Sequence, residues 1–194
     1  MIRIFDVCFS LLGLIILSPL FLLVGVLNKV VAPGPVLFKQ VRVGLNGKEF
    51  VLLKFRSMYV NADKQGLLIT TSGKDPRITP FGYYLRKYKI DELPQLWNVL
   101  VGDMSIVGPR PEVQKYVELY TTEQRAVLQV RPGITDTASL VFRDENEILE
   151  RQTNPERYYI DVLMPQKIQL NMQFIRERTL RNYFSIIFRT LRSI

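Results

Sequence analysis

An apolar stretch without any charged residue runs from Val7 to Leu27, VCFSLLGLIILSPLFLLVGVL. At about 20 residues, such a stretch is long enough to cross the hydrocarbon core of a bilayer. Ser18 and Pro19 interrupt it at its midpoint. A proline inside a helix removes one backbone hydrogen bond and clashes with the preceding turn, and a serine can satisfy the freed carbonyl. The segment therefore predicts a kinked spanning helix or a re-entrant helix–break–helix.

Charge around this segment favours the re-entrant alternative only slightly. Arg3 precedes it and Lys29 follows it, so the positive-inside rule gives no clear asymmetry. A kinked spanning helix also tolerates proline well. The segment by itself leaves both topologies open.

The C-terminal sequence LRNYFSIIFRTLRS is amphipathic. Phe184, Ile187 and Leu191 share one helical face, and three arginines lie on roughly the opposite side: Arg181, Arg189 and Arg192. This pattern is typical of a helix lying in an anionic membrane interface. An ordinary amphipathic helix packed on the core explains it about as well.

The sequence carries 26 Lys and Arg residues against 18 Asp and Glu residues, a net charge of +8. Such an excess indicates a polyanionic partner, which can be nucleic acid, an anionic bilayer or a phosphorylated small molecule. No recognised nucleic-acid motif or stacking platform accompanies the charge. We therefore expect no nucleic-acid partner.

The 194 residues contain no histidine and one cysteine, Cys8. An intrachain disulfide is therefore excluded, as are Ser-His-Asp and Cys-His catalysis and every metal site that needs histidine. Acid, base and nucleophile roles fall mainly to Asp, Glu, Lys, Tyr and hydroxyl groups.

Residues 36–43 and 49–58, VLFKQVRV and EFVLLKFRSM, flank a turn that contains Asn46-Gly47, a strong hairpin signal. Alternation along the second strand places Lys54 and Arg56 on one face. These two candidate substrate-binding cations begin a series that continues further along the chain with Arg86, Arg110, Arg131 and Arg143.

The rest of the sequence is predominantly helical in pattern. Helices are predicted near residues 81–88, 94–101, 112–129, 144–152 and 156 to the end, with a loop around SGKDPRITPFG. The connector VGDMSIVGPRP is rich in glycine and proline and holds Arg110 between two prolines. The expected fold class is α+β, mostly helical with a small hairpin or sheet, attached to one membrane element.

An acidic pair, Asp91 and Glu92, stands in RKYKIDELPQLWNVL. Pro94 is tolerated in the first turn of a helix, so the pair is predicted at a helix N-terminus, where carboxylates are stabilised. On residue type alone, Asp91 is predicted to be a helix cap. The surrounding cations favour a second interpretation, because a carboxylate that attacks a phosphoanhydride needs positive charge or a divalent metal nearby.

Four segments, KFRSM, DPRITPFG, LRKYKIDELPQLWNVLVGDMSIVGPRP and RPGIT, occur in this order. Together with the Ser-Pro break, they resemble the bacterial sugar transferases, monotopic phosphoglycosyl transferases that start glycan assembly on polyprenol phosphate. The resemblance runs nearly end to end, and the length matches the small, single-domain members. It implies a re-entrant membrane helix over residues 1–31, broken at Ser18-Pro19, and a catalytic domain with membrane-interface helices over residues 32–194. The implied location is the cytoplasmic face of the bacterial inner membrane.

The resemblance also implies an activity. Members move a phosphosugar from a UDP-sugar to undecaprenyl phosphate and release UMP, and downstream glycosyltransferases then use the product. Asp91 matches the family's nucleophile, which forms a covalent phosphosugar intermediate, and Glu92 matches the partner that holds Mg²⁺ beside it. Arg86 and Arg110 match arginines placed near the phosphates.

The sequence departs from the family pattern after RPGIT, where it continues DTASLVFRDE. Arg143 still stands where the family's phosphate-binding arginine is expected, but the sugar is left unassigned. Asp161 is a weaker site candidate, and the alternative interpretation is an acidic residue on the surface. Two other functions are weighed against the transferase: a non-catalytic membrane-bound scaffold that binds polyanions, and a membrane-anchored nucleic-acid binder.

Overall fold

The computed structural model describes residues 1–62 and 75–193. The described part is mostly helical with two small sheets, which confirms the predicted α+β class. The first part of the predicted loop around SGKDPRITPFG lies outside the described residues.

The predicted break at Ser18-Pro19 is present. Helix α1 (Ile2–Ile16) and helix α2 (Ser18–Val31) meet at an angle of 59°. The hydroxyl of Ser18 donates to the carbonyl of Ile15 at 2.8 Å, which is the acceptor that a backbone N–H at Pro19 would have used. In the described chain, no single helix has the length and apolar composition of a membrane span; only this bent pair, taken together, does.

The predicted hairpin is also confirmed. Strands β1 (Leu37–Val43) and β2 (Glu49–Phe55) pair antiparallel, with Phe38 opposite Lys54. Asn46 and Gly47 adopt positive φ angles of 56° and 75° in the connecting 3₁₀ turn, which these residue types tolerate best.

A second, parallel sheet was not predicted. Strand β3 (Ser105–Val107) pairs with strand β4 (Gly133–Thr135). Gly108 and Gly133 cross so closely that a Cβ on Gly133 would lie 2.1 Å from the backbone nitrogen of Gly108. Only residues without a side chain permit this approach, which holds the connector that carries Arg110 against β4.

The remaining helices follow the predicted pattern with more interruptions. They are α3 (Pro80–Lys87), α4 (Gln95–Val101), α5 (Gln114–Val117), α6 (Thr137–Val141), α7 (Glu145–Glu150), α8 (Pro155–Tyr158), α9 (Met164–Arg176) and α10 (Leu180–Ser193). The continuous helix predicted over residues 112–129 is wrong, because α5 is followed by a separate 3₁₀ helix (Gln124–Gln129). The hydroxyl of Thr121 accepts a hydrogen bond from the backbone of Gln124 and so competes with helix continuation.

Helix α10 packs on the core, which confirms one of the two predictions for this amphipathic sequence, and its placement in a membrane interface stays a prediction. Tyr183 and Ile186 are buried against the core, and Phe184 packs edge-on against the ring of Phe5 in α1. Phe188 and Leu191 leave 63% and 65% of their surface exposed. The helix is therefore docked on the domain and still presents apolar side chains outward.

Two polar residues attach α1 to the domain. Arg3 donates to the carbonyls of Val99 and Leu100, 2.6 and 3.0 Å away, at the end of α4. Asp6 is buried and accepts hydrogen bonds from Ser105 and from the hydroxyl of Tyr183. The first turns of α1 therefore contact α4 and β3.

Candidate active site

The acidic pair lies in a 3₁₀ turn (Ile90–Glu92) between α3 and α4. Lys89 precedes it in a left-handed conformation with φ of 56°. Helix α4 begins after Pro94, so its N-cap residue is Pro94 and not Asp91, which lies inside the 3₁₀ turn. The interpretation of Asp91 as a helix cap is therefore not supported.

Helix α4 is fixed against the hairpin by Asn98. Its side-chain oxygen accepts from the backbone N–H of Leu53 at 3.0 Å, and its amide donates to the carbonyl of Val51 at 2.8 Å. Asn98 is almost fully buried. This pair of hydrogen bonds sets the position of β2 relative to α4, and with it the position of Lys54 relative to the acidic turn.

Glu92 is held between two cations. Lys54 Nζ lies 2.8 Å and Arg110 Nη2 lies 2.5 Å from its Oε1 atom. Burial alone would raise the pKa of Glu92, but Arg110 and Lys54 outweigh burial and hold that pKa well below the usual range. Glu92 is therefore ionised, and its charge is compensated by the protein itself.

The pKa of Asp91 is shifted in the opposite direction. The residue is 7% exposed, and burial, helped by the neighbouring charge of Glu92, raises its pKa, while Lys54 and Arg86 act against that rise. Two adjacent carboxyl groups whose pKa values are pushed apart are typical of sites in which each has its own chemical role.

Asp91 lines a cavity of about 640 Å³, a volume within the range of small-molecule sites. Its wall is rich in cations, which include Arg42, Lys54, Arg77, Arg86, Arg110 and Lys167. A cavity with this lining is suited to a ligand that carries several negative charges.

Arg110 is positioned by a buried acid. Its backbone N–H donates to Asp136 Oδ2 at 2.9 Å, and the other oxygen of Asp136 caps α6 by accepting from Ser139. Burial raises the pKa of Asp136. The pKa of Arg110 is raised, chiefly by Glu92 and to a smaller extent by Asp136 and Glu145, so its guanidinium stays charged.

The structure brings four of the predicted site residues together with Asp91: Glu92, Lys54, Arg86 and Arg110 surround it or line its cavity. Burial lowers the pKa of Arg86, while Asp91 opposes that change. The catalytic and binding roles of these residues stay predictions.

Three other predicted residues are placed differently. Arg56 borders the cavity, but its guanidinium donates to the carbonyls of Ala32 and Pro33 at the end of α2. Arg143 is exposed between α6 and α7 and is not among the described residues that line the cavity. Asp161 forms an exposed ion pair with Arg157 at 3.2 Å.

The sequence prediction missed several residues of the cavity wall. Arg42 contacts Glu112 at 3.6 Å, and Glu112 accepts a hydrogen bond from the hydroxyl of Tyr159. Lys167 pairs with Glu145 at 2.8 Å. The register of the hairpin could have identified Arg42, since alternation places it on the same face as Phe38, opposite Lys54. No local signal pointed to the others.

Asp91 and Glu92 are also the candidate ligands for a metal ion. No cluster of three or more potential ligands occurs within residues 1–62 and 75–193. Mg²⁺ commonly takes one or two carboxylates and completes its shell with water and substrate phosphates. Asp91 and Glu92 supply two carboxylates for such a shared shell; Glu92 Oε1 accepts from Lys54 and Arg110, and its Oε2 accepts a longer hydrogen bond of 3.4 Å from Arg110.

A family model described as bacterial sugar transferase matches residues 1–194. The chain is 45% identical over 121 residues to a putative undecaprenyl-phosphate N-acetylgalactosaminyl 1-phosphate transferase of Bacillus subtilis, covering 62% of this chain and 67% of the relative. It is 35% identical to a UDP-N-acetylgalactosamine-undecaprenyl-phosphate N-acetylgalactosaminephosphotransferase of Aeromonas hydrophila, covering 97% of this chain and 42% of the relative. A UDP-glucose:undecaprenyl-phosphate glucose-1-phosphate transferase of Xanthomonas campestris is 39% identical, over 88% of this chain and 36% of the relative. The chain thus spans less than half the length of the latter two.

Proposed function

This chain belongs to the bacterial sugar transferase family, and on that premise we propose that it transfers a sugar 1-phosphate from a UDP-sugar to undecaprenyl phosphate. The names of its relatives specify this reaction with N-acetylgalactosamine or glucose as the sugar. The observation that carries the proposal is the buried carboxylate of Asp91 at a cation-lined cavity, beside a Glu92 whose charge is already compensated.

In the proposed first step, a carboxylate oxygen of Asp91 attacks the sugar-linked phosphorus of the UDP-sugar. A bond forms between this oxygen and phosphorus, the bond from phosphorus to the bridging oxygen breaks, and its electron pair leaves with UMP. In the second step, an oxygen of undecaprenyl phosphate attacks the same phosphorus. The carboxylate of Asp91 is thereby restored, and the sugar remains on a pyrophosphate-linked lipid.

Charge repulsion between a carboxylate and a diphosphate is the main obstacle to the first step. Arg110, Lys54 and Arg86 supply positive charge around Asp91, and fixed charges in a poorly hydrated site are worth more than the same charges in water. When bound by Asp91 and Glu92 together with substrate phosphates, Mg²⁺ supplies further charge neutralisation. We expect EDTA to abolish UMP release and added Mg²⁺ to restore it.

We further propose that α1 and α2 enter the membrane and leave by the same, cytoplasmic face. Many apolar side chains on these helices are exposed, among them Ile4, Leu12, Ile15, Ile16, Leu22 and Val30. Arg3 and Asp6 fix the start of α1 to the domain, and Arg56 fixes the end of α2 to it. Both ends of the bent pair are therefore held by one body, as a re-entrant segment requires. The lipid product would then be available to downstream glycosyltransferases at that face.

The test is UMP release in the absence of lipid. Detergent-solubilised full-length chain, Mg²⁺ and a panel of UDP-sugars should yield UMP in an amount comparable to the enzyme and then stop. Intact-protein mass spectrometry should show one added phosphosugar on the peptide that contains Asp91. Asp91→Asn should abolish both signals, whereas Asp161→Asn, on the exposed surface, should change neither. UMP release that requires undecaprenyl phosphate would instead favour direct attack by the lipid.

A further inference from the structure

The cavity wall also carries an ion pair that does not involve Asp91 or Glu92. Lys167 Nζ lies 2.8 Å from Glu145 Oε2, and Lys167 is only 8% exposed. Its ammonium group also lies over the ring of Tyr159, 5.1 Å from the centroid. Burying a charged pair is costly and often adds little to stability. Here the lysine is buried, whereas the side chain of Glu145 is 26% exposed and both residues line the cavity, so the pair is a candidate for ligand binding.

The ion pair and Asp91 belong to different parts of the cavity. Ile90, next to Asp91, packs in a cluster with Val24 of α2 and Phe55 of β2. Glu145 and Lys167 stand on α7 and α9, whose buried residues Leu149 and Ile168 belong to a separate core cluster. Arg110 links the two parts, because it contacts Glu92 and lines the same cavity as Glu145 and Lys167.

The geometry of phosphoryl transfer constrains where the leaving nucleotide lies relative to Asp91. The attacking and leaving oxygens are roughly in line across the phosphorus. If Asp91 attacks, UMP leaves on the side of the phosphorus opposite Asp91, and Glu145 and Lys167 line the same cavity without belonging to the turn that carries Asp91. The sugar stays on the phosphorus and is not on this line.

We propose that Glu145 and Lys167 form the binding site for the UMP part of the substrate, an inference that rests on the proposed function. The carboxylate of Glu145 accepts hydrogen bonds from the ribose hydroxyls, and the ammonium group of Lys167 donates to the phosphate that departs with uridine. A carboxylate is an acceptor suited to a pair of hydroxyl groups, and lysine is a common point-charge partner of phosphate. The ion pair between them keeps both groups oriented before the nucleotide binds.

The test pairs protein variants with nucleotide analogues in calorimetric binding measurements on the full chain in detergent. Wild type should bind UMP more tightly than 2′-deoxy- or 3′-deoxy-UMP, by about tenfold or more for a hydroxyl that donates to a charged group. In Glu145→Gln this preference should fall toward unity. Lys167→Gln should weaken UMP binding but leave the much weaker binding of uridine nearly unchanged.

Two controls make the outcome decisive. Glu147→Gln lies in the same helix, but its side chain is 68% exposed in a surface pair with Arg151, so the analogue preferences should persist. If a single variant unfolds because one buried charge loses its partner, Glu145→Gln combined with Lys167→Met removes both charges and should lose both preferences. An unchanged ribose preference in folded Glu145→Gln would overturn the inference. A wild type that releases UMP from no UDP-sugar would instead overturn the proposed function.

Discussion

Lys54 Nζ lies 2.8 Å from Glu92 Oε1, and this contact joins the hairpin to the turn that carries Asp91. Lys54 comes from β2, whereas Glu92 is 38 residues further along the chain. The contact compensates the negative charge of Glu92 and at the same time places a cation near Asp91. One lysine therefore influences both carboxyl groups of the pair.

Replacing Lys54 with methionine should change the pH dependence of UMP release. Asp91 must be ionised to attack, so the rate falls as the pH falls through its pKa. Burial already raises that pKa and Lys54 opposes the rise, so Lys54→Met should move the acidic limb to higher pH. Single-turnover UMP release across a pH series measures this. Lys115→Met, which removes an exposed partner of Glu156, should leave the limb in place; an unshifted limb in Lys54→Met would show that Lys54 does not act on Asp91.

Replacing Arg110 tests charge compensation in the transition state. Arg110→Ala should raise the barrier by about 2–4 kcal/mol if the guanidinium contacts developing phosphate charge. Arg110→Lys should recover only part of the loss, because a point charge cannot reproduce a planar fork. Steady-state kcat/KM for the preferred UDP-sugar measures both. Full activity in folded Arg110→Ala would leave this residue a purely structural role beside Glu92.

Asp136 should act on the site through the backbone of Arg110. Its two oxygens accept from Arg110 and from Ser139, and asparagine can accept through only one of its side-chain atoms. Asp136→Asn should therefore leave one buried donor without a partner and cost about 1–3 kcal/mol of unfolding free energy. Chemical denaturation measures this loss, with Asp144→Asn, at a helix start without a side-chain cap, as the control. If Asp136 positions Arg110, the effects of Asp136→Asn and Arg110→Ala on kcat/KM should also be less than additive.

The break between α1 and α2 should control topology. Ser18→Ala with Pro19→Leu restores the missing N–H and removes the hydroxyl that satisfies Ile15, so the two helices should straighten into one span. The N-terminus should then move to the opposite face, and activity should fall although Asp91 is untouched. Accessibility of an N-terminal tag in vesicles reports this, with the single variant Ser18→Ala, which keeps the proline, as the comparison. Cell-surface labelling of the wild-type tag would refute the re-entrant proposal.

Features that depend on a few consecutive residues were determined by the sequence alone. Asn46-Gly47 makes the hairpin, because these residues accept the positive φ angles of the turn. Pro19 breaks the apolar segment, because it cannot donate to Ile15. The start of α3 follows from Thr79 and Pro80, since the threonine side chain accepts from Gly82.

The limit of such local rules is visible at Arg56. Alternation along β2 predicts that it shares a face with Lys54, but the strand ends at Phe55. Beyond that point the direction of a side chain no longer follows the pleat, and Arg56 turns to carbonyl groups of residues 28–33. Two neighbouring cations with one predicted role thus receive different contacts.

Only the tertiary structure decided which distant residues complete the site. Asp136 contacts the backbone of Arg110 because β3 pairs with β4, whose residues lie 28 positions further along the chain. Lys167 meets Glu145 because α7 and α9 share a core. No spacing in the sequence encodes these contacts, since they depend on how all the elements pack together. The sequence determined the acidic pair and the break before it. The packing of the chain determined which charges surround that pair.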